Sequence, residues 1–353
     1  GRAMKFGIFD HVERLRNIPL DQQYSERLDL LAQADKGEIY GYHVAEHHHS
    51  PLSMIPSQAP YLAAVAARTE KLRFGPLVYV LPLYHPVRLV EEICMLDNLS
   101  GGRYQIGIGR GAPVGDELSM WGTDPEQTHS LFDETFQILM KGLTQDFLSF
   151  KGKHYEFEDL WMEMKPKQTP HPPFWYAGNP VNAAEFGANF IGAGTLASLP
   201  STMARYKEVW ERQTETNDPA LPHVADPLYG ASKRVFIAET DEEAQRRARP
   251  AYEVYRDNFV KPLPGGKSRR PTDMVVGANP NRQFPWDATF EEAVGQEQVL
   301  VGSPRTIKEY IASYVEESGC NYFVGSFQWG DVTHEEASRS LQLFTLEVMP
   351  DFV

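Results

Sequence analysis

An acid and three histidines stand side by side at residues 46–49, directly after a short apolar run. The sequence there is Glu46-His47-His48-His49. Ionisable side chains are seldom buried without a partner, so the cluster marks the place where a buried strand ends. A carboxylate beside imidazoles can move protons near neutral pH, because the pKa of histidine is about 6.5. We therefore predict an active site at the end of this strand.

The histidine run also permits a metal site. In an extended chain His47 and His49 point to one side and His48 to the other, so one strand offers two imidazoles. The sequence shows no second cluster of His, Asp or Glu at a strand end to complete such a site. We favour one catalytic histidine, with the others either orienting it or facing solvent, and no metal. A metal-dependent barrel hydrolase is the alternative.

Two further stretches are suited to binding an anion. Arg110 stands between Gly109 and Gly111; glycines let the backbone approach a ligand, and a guanidinium matches a phosphate. Asn179 and Pro180 predict a helix start, as N-cap and first helical residue, and the free amides of a helix start attract anions. Together the two stretches predict one phosphate site.

Strand-like and helical runs alternate along the chain. The strand-like runs cover residues 4–9, 39–45, 72–81, 103–108, 172–177, 190–196, 231–238 and 322–327. Strict alternation predicts a parallel sheet, and eight units predict an α/β fold of the closed TIM (β/α)8 barrel type with insertions. Its active site should lie at the C-terminal ends of the strands, where Asp10 also stands. A doubly wound open sheet is less favoured, because no glycine-rich phosphate turn follows the first strand.

The length of the chain fits one domain. Its 353 residues are 42% hydrophobic and 23% charged, as in ordinary globular proteins. We predict a single barrel domain over residues 4–353 and interpret residues 1–3 as a cloning remnant. Residues 154–164 predict an inserted hairpin. Residues 261–298, rich in proline and carrying a basic run, predict an inserted loop that is either an active-site lid or a solvated segment.

The charge of the chain argues against polyanionic partners. Its 48 acidic and 34 basic residues give a formal net charge of −14, which disfavours nucleic acid and anionic membranes. No apolar run reaches the length of a membrane span. The two cysteines, Cys94 and Cys320, lie far apart and suggest no disulfide framework. We expect a cytoplasmic protein.

Several stretches together resemble bacterial luciferase and the luciferase-like flavin monooxygenases. Residues 43–48 resemble the Glu-His-His signature of that family. Further stretches agree in order and spacing, at residues 4–7, 80–88, 96–103, 107–111, 122–124, 302–304 and 343–350. The resemblance covers essentially the whole chain. It implies a homodimeric barrel that binds FMN, used as reduced FMN (FMNH2) from a separate flavin reductase.

The resemblance also implies roles for individual residues. His47 resembles the catalytic histidine, with Glu46 and His48 beside it, and Arg110 resembles the arginine that binds the FMN phosphate. The bond between Leu77 and Val78 falls where luciferases have a cis peptide under the flavin ring. The residues that the resemblance places against FMN are Leu77, Val78, Gly109, Arg110, Ala177, Gly178, Asn179 and Asn182.

Two positions depart from luciferase. Gly109 stands where luciferase has a reactive cysteine, and Gly178 where it has a glutamate. We expect both changes to open space, and the first removes thiol chemistry. The implied reaction is oxygenation of a small organic substrate, such as an aldehyde, after O2 adds to C4a of the reduced flavin. Glu46 is expected to orient His47 or raise its pKa. A deazaflavin-dependent oxidoreductase of the same superfamily is the nearer alternative.

Overall fold

Strands and helices alternate along the chain. The computed structural model describes residues 3–111, 117–216, 224–260 and 288–353. The strands are β1 (Lys5–Asp10), β2 (Gly41–Val44), β3 (Arg73–Pro76), β4 (Tyr79–Val80), β5 (Ile106–Gly109), β6 (Phe147–Lys151), β7 (Glu156–Trp161), β8 (Phe174–Ala177), β9 (Asn189–Gly192), β10 (Tyr229–Ile237), β11 (Val299–Gly302) and β12 (Tyr322–Ser326). The α-helices are α1 (Leu20–Lys36), α2 (Gln58–Arg68), α3 (Pro86–Leu99), α4 (Thr128–Thr144), α5 (Pro180–Glu185), α6 (Leu199–Thr216), α7 (Asp241–Val260), α8 (Phe290–Gly295), α9 (Pro304–Glu317) and α10 (His334–Leu343).

The parallel strands close into a barrel. Hydrogen-bonded neighbours follow the order β3, β2, β1, β12, β10, β9, β8, β5, β4. The strands β3 and β4 are two pieces of one strand, interrupted only at Leu77 and Val78, so the two ends of this order meet. Eight strand positions therefore surround one axis, and the predicted TIM barrel is confirmed in place of an open doubly wound sheet. Strand β11 lies off this path and pairs with the end of β10.

Some predicted boundaries were wrong. Strand β11 was missed, because four buried apolar residues do not reveal their periodicity. The predicted hairpin exists as the antiparallel pair β6 and β7, but it begins earlier, at Phe147. Residues 1–2 and 261–287, and so most of the predicted inserted loop, lie outside the described residues. Within the rest of that loop, Phe290–Gly295 forms α8. No described helix is long and apolar enough to cross a membrane.

Aromatic side chains fill the inside of the barrel. Nε2 of His43 lies 2.9 Å from the hydroxyl of Tyr322, and the His43 and Trp175 rings are 4.5 Å apart. A Cβ on Gly7 would come within 1.9 Å of the Tyr322 hydroxyl, so only glycine leaves room for this ring. Burial lowers the pKa of His43 to about 3, so this imidazole is neutral. With the interior filled, a ligand must bind at the rim.

A buried ion pair anchors α1 to the end of β1. Nη1 of Arg27 lies 2.5 and 2.7 Å from the two carboxylate oxygens of Asp10, and the Tyr42 hydroxyl donates to the same carboxylate at 2.5 Å. All three residues are buried. Asp10 ends a strand and was expected to converge on the active site. Its carboxylate is instead used to bind Arg27.

We predict that Arg27→Met lowers the free energy of unfolding by about 3–5 kcal/mol, because it leaves the Asp10 carboxylate buried without its cation. Urea unfolding followed by circular dichroism measures this loss. The control is Arg68→Met, which removes an exposed pair with Asp29 and should cost less than about 1 kcal/mol. Equal losses in the two variants would contradict a structural role for the buried pair.

Candidate active site at the barrel rim

The predicted site segments lie on one rim. The strands β1, β2, β3/β4, β5 and β8 are parallel neighbours in that order. Their C-terminal ends therefore lie side by side at one end of the barrel. His47 follows β2 and Arg110 follows β5, so only the β3/β4 position separates the two segments on the rim.

Glu46 is buried and accepts three hydrogen bonds. One oxygen accepts from the Tyr84 hydroxyl at 2.7 Å and from the Val80 amide at 3.1 Å, while the other lies 2.7 Å from Nε2 of His48. None of these three hydrogen bonds goes to the ring of His47, the next residue in the chain. The prediction that Glu46 orients His47 is wrong, because the carboxylate is held by His48.

The pairing with Glu46 changes the protonation of His48. Burial alone would lower the pKa of His48, but the hydrogen bond to Glu46, the charge of Glu46 and the charge of Glu117 together raise it above its usual value. The environment therefore favours the imidazolium form. Because the carboxylate of Glu46 lies at hydrogen-bond distance, the pair forms a buried ion pair when His48 is protonated.

His47 has a different carboxylate partner, Glu117, which the sequence analysis missed. Nδ1 of His47 lies 3.3 and 3.4 Å from the two oxygens of Glu117, and the backbone amide of His48 donates to Glu117 at 2.8 Å. The His47 ring also stacks on His11, with centroids 5.5 Å apart and an interplanar angle of 15°. No periodicity marks the loop that carries Glu117, so the sequence offers no signal for this contact.

The three histidines do not alternate as an extended chain would. The chain leaves β2 at Val44, and His49 has a positive φ of 48°. The rings of His48 and His49 therefore both lie near Trp121, at 5.2 and 6.2 Å. The expectation that His47 and His49 share one side is wrong. Among the described residues, no group of three His, Cys, Asp or Glu side chains is arranged to hold a metal ion.

A cavity of about 170 Å³ lies where these groups meet. The predicted site residues that line it are Glu46, His47, His48, Leu77 and Val78. The peptide bond between Leu77 and Val78 is cis, at the position that the family resemblance indicates. The rim thus brings the ionisable cluster after β2 against the break between β3 and β4.

The two glycine departures differ in their surroundings. A Cβ on Gly109 would come within 2.5 Å of Cγ2 of Val78, so the expected space beside Gly109 is already filled. That expectation is wrong. At Gly178, φ is +95° and no heavy atom lies within 4 Å of the place that a Cβ would occupy, so this part of the rim is open.

The partner of Arg110 is an imidazole rather than a carboxylate. Its Nη1 is hydrogen bonded to Nε2 of His129, at the start of α4. No carboxylate of the described residues forms an ion pair with this guanidinium. Among these described residues no acid therefore compensates its positive charge at short range, which suits an anionic ligand.

The segment after β8 is a short capped helix. Oδ1 of Asn179 accepts from the Asn182 amide at 3.0 Å, and Pro180 is the first helical residue, as predicted. The helix ends at Glu185. The side chain of Asn182 donates to the Tyr176 hydroxyl at 3.3 Å. Ala177, Gly178 and Asn179 are exposed on the same edge.

In barrel enzymes of this type the active site lies at the C-terminal rim, where this barrel carries Glu46, His47 and His48. The family model for luciferase-like monooxygenases matches residues 4–321. The chain therefore belongs to the luciferase-like monooxygenase family. This membership replaces the metal-dependent hydrolase as the interpretation of the histidine run.

Individual proteins agree with this assignment. The oxygenase component of the flavin-dependent trigonelline monooxygenase of Acinetobacter baylyi is 31% identical over 99% of this chain and 96% of its own length. The structure of monooxygenase RslO1 from Streptomyces bottropensis superposes with a TM-score of 0.82, at 22% identity, covering 99% of this chain and 100% of that one.

Two further structures share the fold but differ in the cofactor they hold. The oxygenating constituent of 3,6-diketocamphane monooxygenase from Pseudomonas putida, in complex with FMN, has a TM-score of 0.75 at 23% identity, covering 99% of each chain. An F420-dependent secondary alcohol dehydrogenase has a TM-score of 0.72 at 16% identity, also covering 99% of each chain. The fold alone therefore does not choose between these cofactors.

We predict that Glu46→Gln lowers the pKa of His48, because the substitution removes the negative charge that stabilises the imidazolium. An NMR titration of the ring protons of His48 measures the change. Because the folded-state pKa is raised, the pairing stabilises the fold fully below about pH 6.5 and this stability is lost as the pH rises through the folded pKa. The control is Glu158→Gln on the exposed hairpin. An unchanged titration of His48 would contradict the assigned pairing.

Proposed function

We propose that this protein is a flavin-dependent monooxygenase that uses reduced FMN and O2 to oxygenate a small organic substrate. The proposal rests on one observation: His47, His48 and the Leu77-Val78 segment line a single cavity on the same rim as Arg110. The flavin-dependent relative from Acinetobacter baylyi and the FMN complex from Pseudomonas putida support FMN as the cofactor. That relative is an oxygenase component, which supports a separate flavin reductase as partner.

The residues of the rim fit an FMN molecule. Leu77 and Val78, with Gly109 behind them, would support the flavin ring. Arg110 would bind the phosphate, since its present partner His129 carries no negative charge to compete with an anion. At the end of β8, the exposed residues Ala177, Gly178 and Asn179 would also contact the phosphate. Asn182, one helical turn further along the chain, would join them.

In this proposal His47, which lines the cavity, exchanges a proton with the bound molecules. Glu117 accepts from Nδ1, which leaves Nε2 as the unprotonated nitrogen of the neutral ring. Nε2 then accepts a proton from a reacting group or, once charged, returns it. The separate pair of Glu46 and protonated His48 would carry no net charge next to His47. When bound, reduced FMN would supply two electrons to activate O2, one oxygen atom going to the substrate and the other to water.

A homodimer is part of the proposal. On α3, Met95 and Leu99 expose 52% and 63% of their surfaces. They border a groove of about 660 Å³ against α2 that is lined mainly by apolar side chains. Exposed apolar surface of this kind is typical of a subunit interface. The face formed by α2 and α3 is therefore the proposed dimer contact.

The function is tested by supplying the purified protein with FMN, NADH and a flavin reductase under ¹⁸O2, with a panel of small organic substrates. We expect a product that carries one ¹⁸O atom and requires both the protein and reduced FMN. The F420-dependent structure makes deazaflavin the second candidate. Preferential binding of F420, with substrate turnover but no ¹⁸O in the product, would decide for that candidate.

We predict that His47→Ala lowers the rate of oxygenation by roughly 10²- to 10⁴-fold, the usual contribution of a positioned acid–base group. The dissociation constant for FMN should change little, because the imidazole is assigned to the reaction. Stopped-flow kinetics and a fluorescence titration with FMN measure the two quantities. The control is His49→Ala, an exposed neighbour outside the cavity. Parallel losses of rate and FMN affinity would count against a catalytic role.

We predict the opposite pattern for Arg110→Ala. Loss of a charged hydrogen bond to the phosphate should raise the dissociation constant for FMN by roughly 10- to 100-fold. Affinity for riboflavin, which has no phosphate, should remain nearly unchanged, and so should the rate at saturating FMN. The control is Arg205→Ala on the exposed side of α6. Equal weakening of FMN and riboflavin would remove Arg110 from the phosphate site.

A further inference from the structure

Arg234 is a cation of the barrel rim that the proposed flavin site does not use. It lies on β10 and pairs in register with Ser326 of β12. Its neighbour Lys233 points outward, since its ammonium donates to the carbonyl of Gly194 and lies 5.9 Å from the ring centroid of Tyr310 on α9. Side chains alternate along a strand, so Arg234 points toward the inside of the barrel mouth.

The guanidinium of Arg234 stacks on an aromatic ring rather than pairing with an acid. Its central carbon lies 3.6 Å from the ring centroid of Tyr255 on α7. Arg234 forms no ion pair with a carboxylate in the part of the chain that the structure describes. Stacking holds a guanidinium in one plane and leaves its N–H edge available for a second partner.

Glu13 interacts electrostatically with Arg234, but its carboxylate is hydrogen bonded to other groups. Its two oxygens accept from the side-chain amide of Asn258 at 2.9 Å and from the backbone amide of Gly330 at 2.8 Å. Burial raises the pKa of Glu13, although these hydrogen bonds and the charge of Arg234 oppose the shift. Glu13 therefore compensates the arginine only at a distance, and no carboxylate of the described residues occupies its N–H edge.

His11 connects Arg234 to the proposed catalytic histidine. The His11 ring stacks on His47 and packs edge-on against Phe259, with centroids 5.9 Å apart. Burial first, and then the electrostatic interactions with His47 and Arg234, hold the pKa of His11 well below its usual value. His11 is therefore neutral, and it forms the wall of the cavity on the side of Arg234.

Arg234 and Arg110 lie on strands that are well separated around the barrel. Between β10, which carries Arg234, and β5, which precedes Arg110, the barrel has β9 and β8 in one direction and β12, β1, β2 and β3/β4 in the other. Arg234 is thus across the mouth from Arg110. A molecule that reaches from Arg234 past His11 approaches His47 from the side opposite to the proposed phosphate end.

We propose that Arg234 binds the anionic group of the substrate, and that the substrate is a small organic carboxylate. A carboxylate accepts two parallel hydrogen bonds from a guanidinium fork, and one half-buried arginine balances one negative charge. The remainder of the substrate extends along His11 to His47. The identity of the ligand as substrate rests on the proposed function, whereas the anion site itself does not.

The test compares acids with their neutral amides. Calorimetric titrations use FMN-loaded protein with a panel of aromatic and aliphatic carboxylates, including benzoate and nicotinate, each matched with its amide. We expect at least one carboxylate to bind roughly tenfold or more tightly than its amide, and Arg234→Gln to weaken that carboxylate by roughly 10- to 100-fold. Affinity for the amide and for FMN should be unchanged. Arg234→Lys keeps the charge but loses the fork, so its affinity for the carboxylate should lie between those of the wild type and Arg234→Gln.

The controls separate this site from general effects. Arg249→Gln removes an exposed arginine of α7 that pairs with Glu291 and should leave carboxylate binding intact. Retained FMN affinity and an unchanged unfolding midpoint show that Arg234→Gln is folded. Carboxylates that bind no better than amides, or no better to wild type than to Arg234→Gln, overturn the proposal. Arg234-dependent carboxylate binding without any ¹⁸O transfer would reject the proposed function and retain this site.

Discussion

The carboxylate of Glu46 joins three pieces of the rim, and the geometry of the site depends on it. Its two oxygens bind the amide of Val80 at the end of β4, the hydroxyl of Tyr84 beyond the following turn, and the imidazole of His48. A buried carboxylate is costly unless its lone pairs are satisfied. Because these three partners satisfy it, the break between β3 and β4 is held against the segment that follows β2. His47, which lies between Glu46 and His48 in the chain, is positioned as a consequence.

The rim separates two imidazole–carboxylate pairs that the sequence presents as one cluster. The pair of Glu46 and His48 is internal to the segment, whereas Glu117 reaches His47 from a loop 70 residues further along the chain. The same loop carboxylate accepts from the backbone of His48 and so ties the loop to the strand end. The pair of Glu46 and His48 lies within one segment, whereas the pair of Glu117 and His47 joins that segment to the loop. This division of work resembles that of other sites in which neighbouring titratable groups are given different environments.

The filled interior explains why all candidate chemistry lies at one end of the barrel. His43, Tyr322 and Trp175 occupy the axis, and the glycines beneath Tyr322 leave room for its ring. The His43 imidazole and the Tyr322 hydroxyl are neutral and hydrogen bonded to each other, so they belong to the packed core. The rim, in contrast, carries cations on opposite sides of the mouth, Arg110 after β5 and Arg234 on β10. An overall acidic protein thus presents local positive charge where the proposed ligands enter.

The sequence by itself determined the alternation of strands and helices, the placement of Glu46, His47 and His48 at a strand end, and the turn that carries Arg110. These follow from local periodicity and residue type, and parallel strands necessarily bring their C-terminal ends to one rim. Only the tertiary structure decided which carboxylate faces which histidine, that Asp10 is bound by Arg27, and that Val78 fills the space beside Gly109. It also showed that Arg234 stacks on Tyr255 in the mouth. Such contacts join residues far apart in the chain, and their geometry depends on how loops and helices pack, for which a single sequence carries no periodic signal.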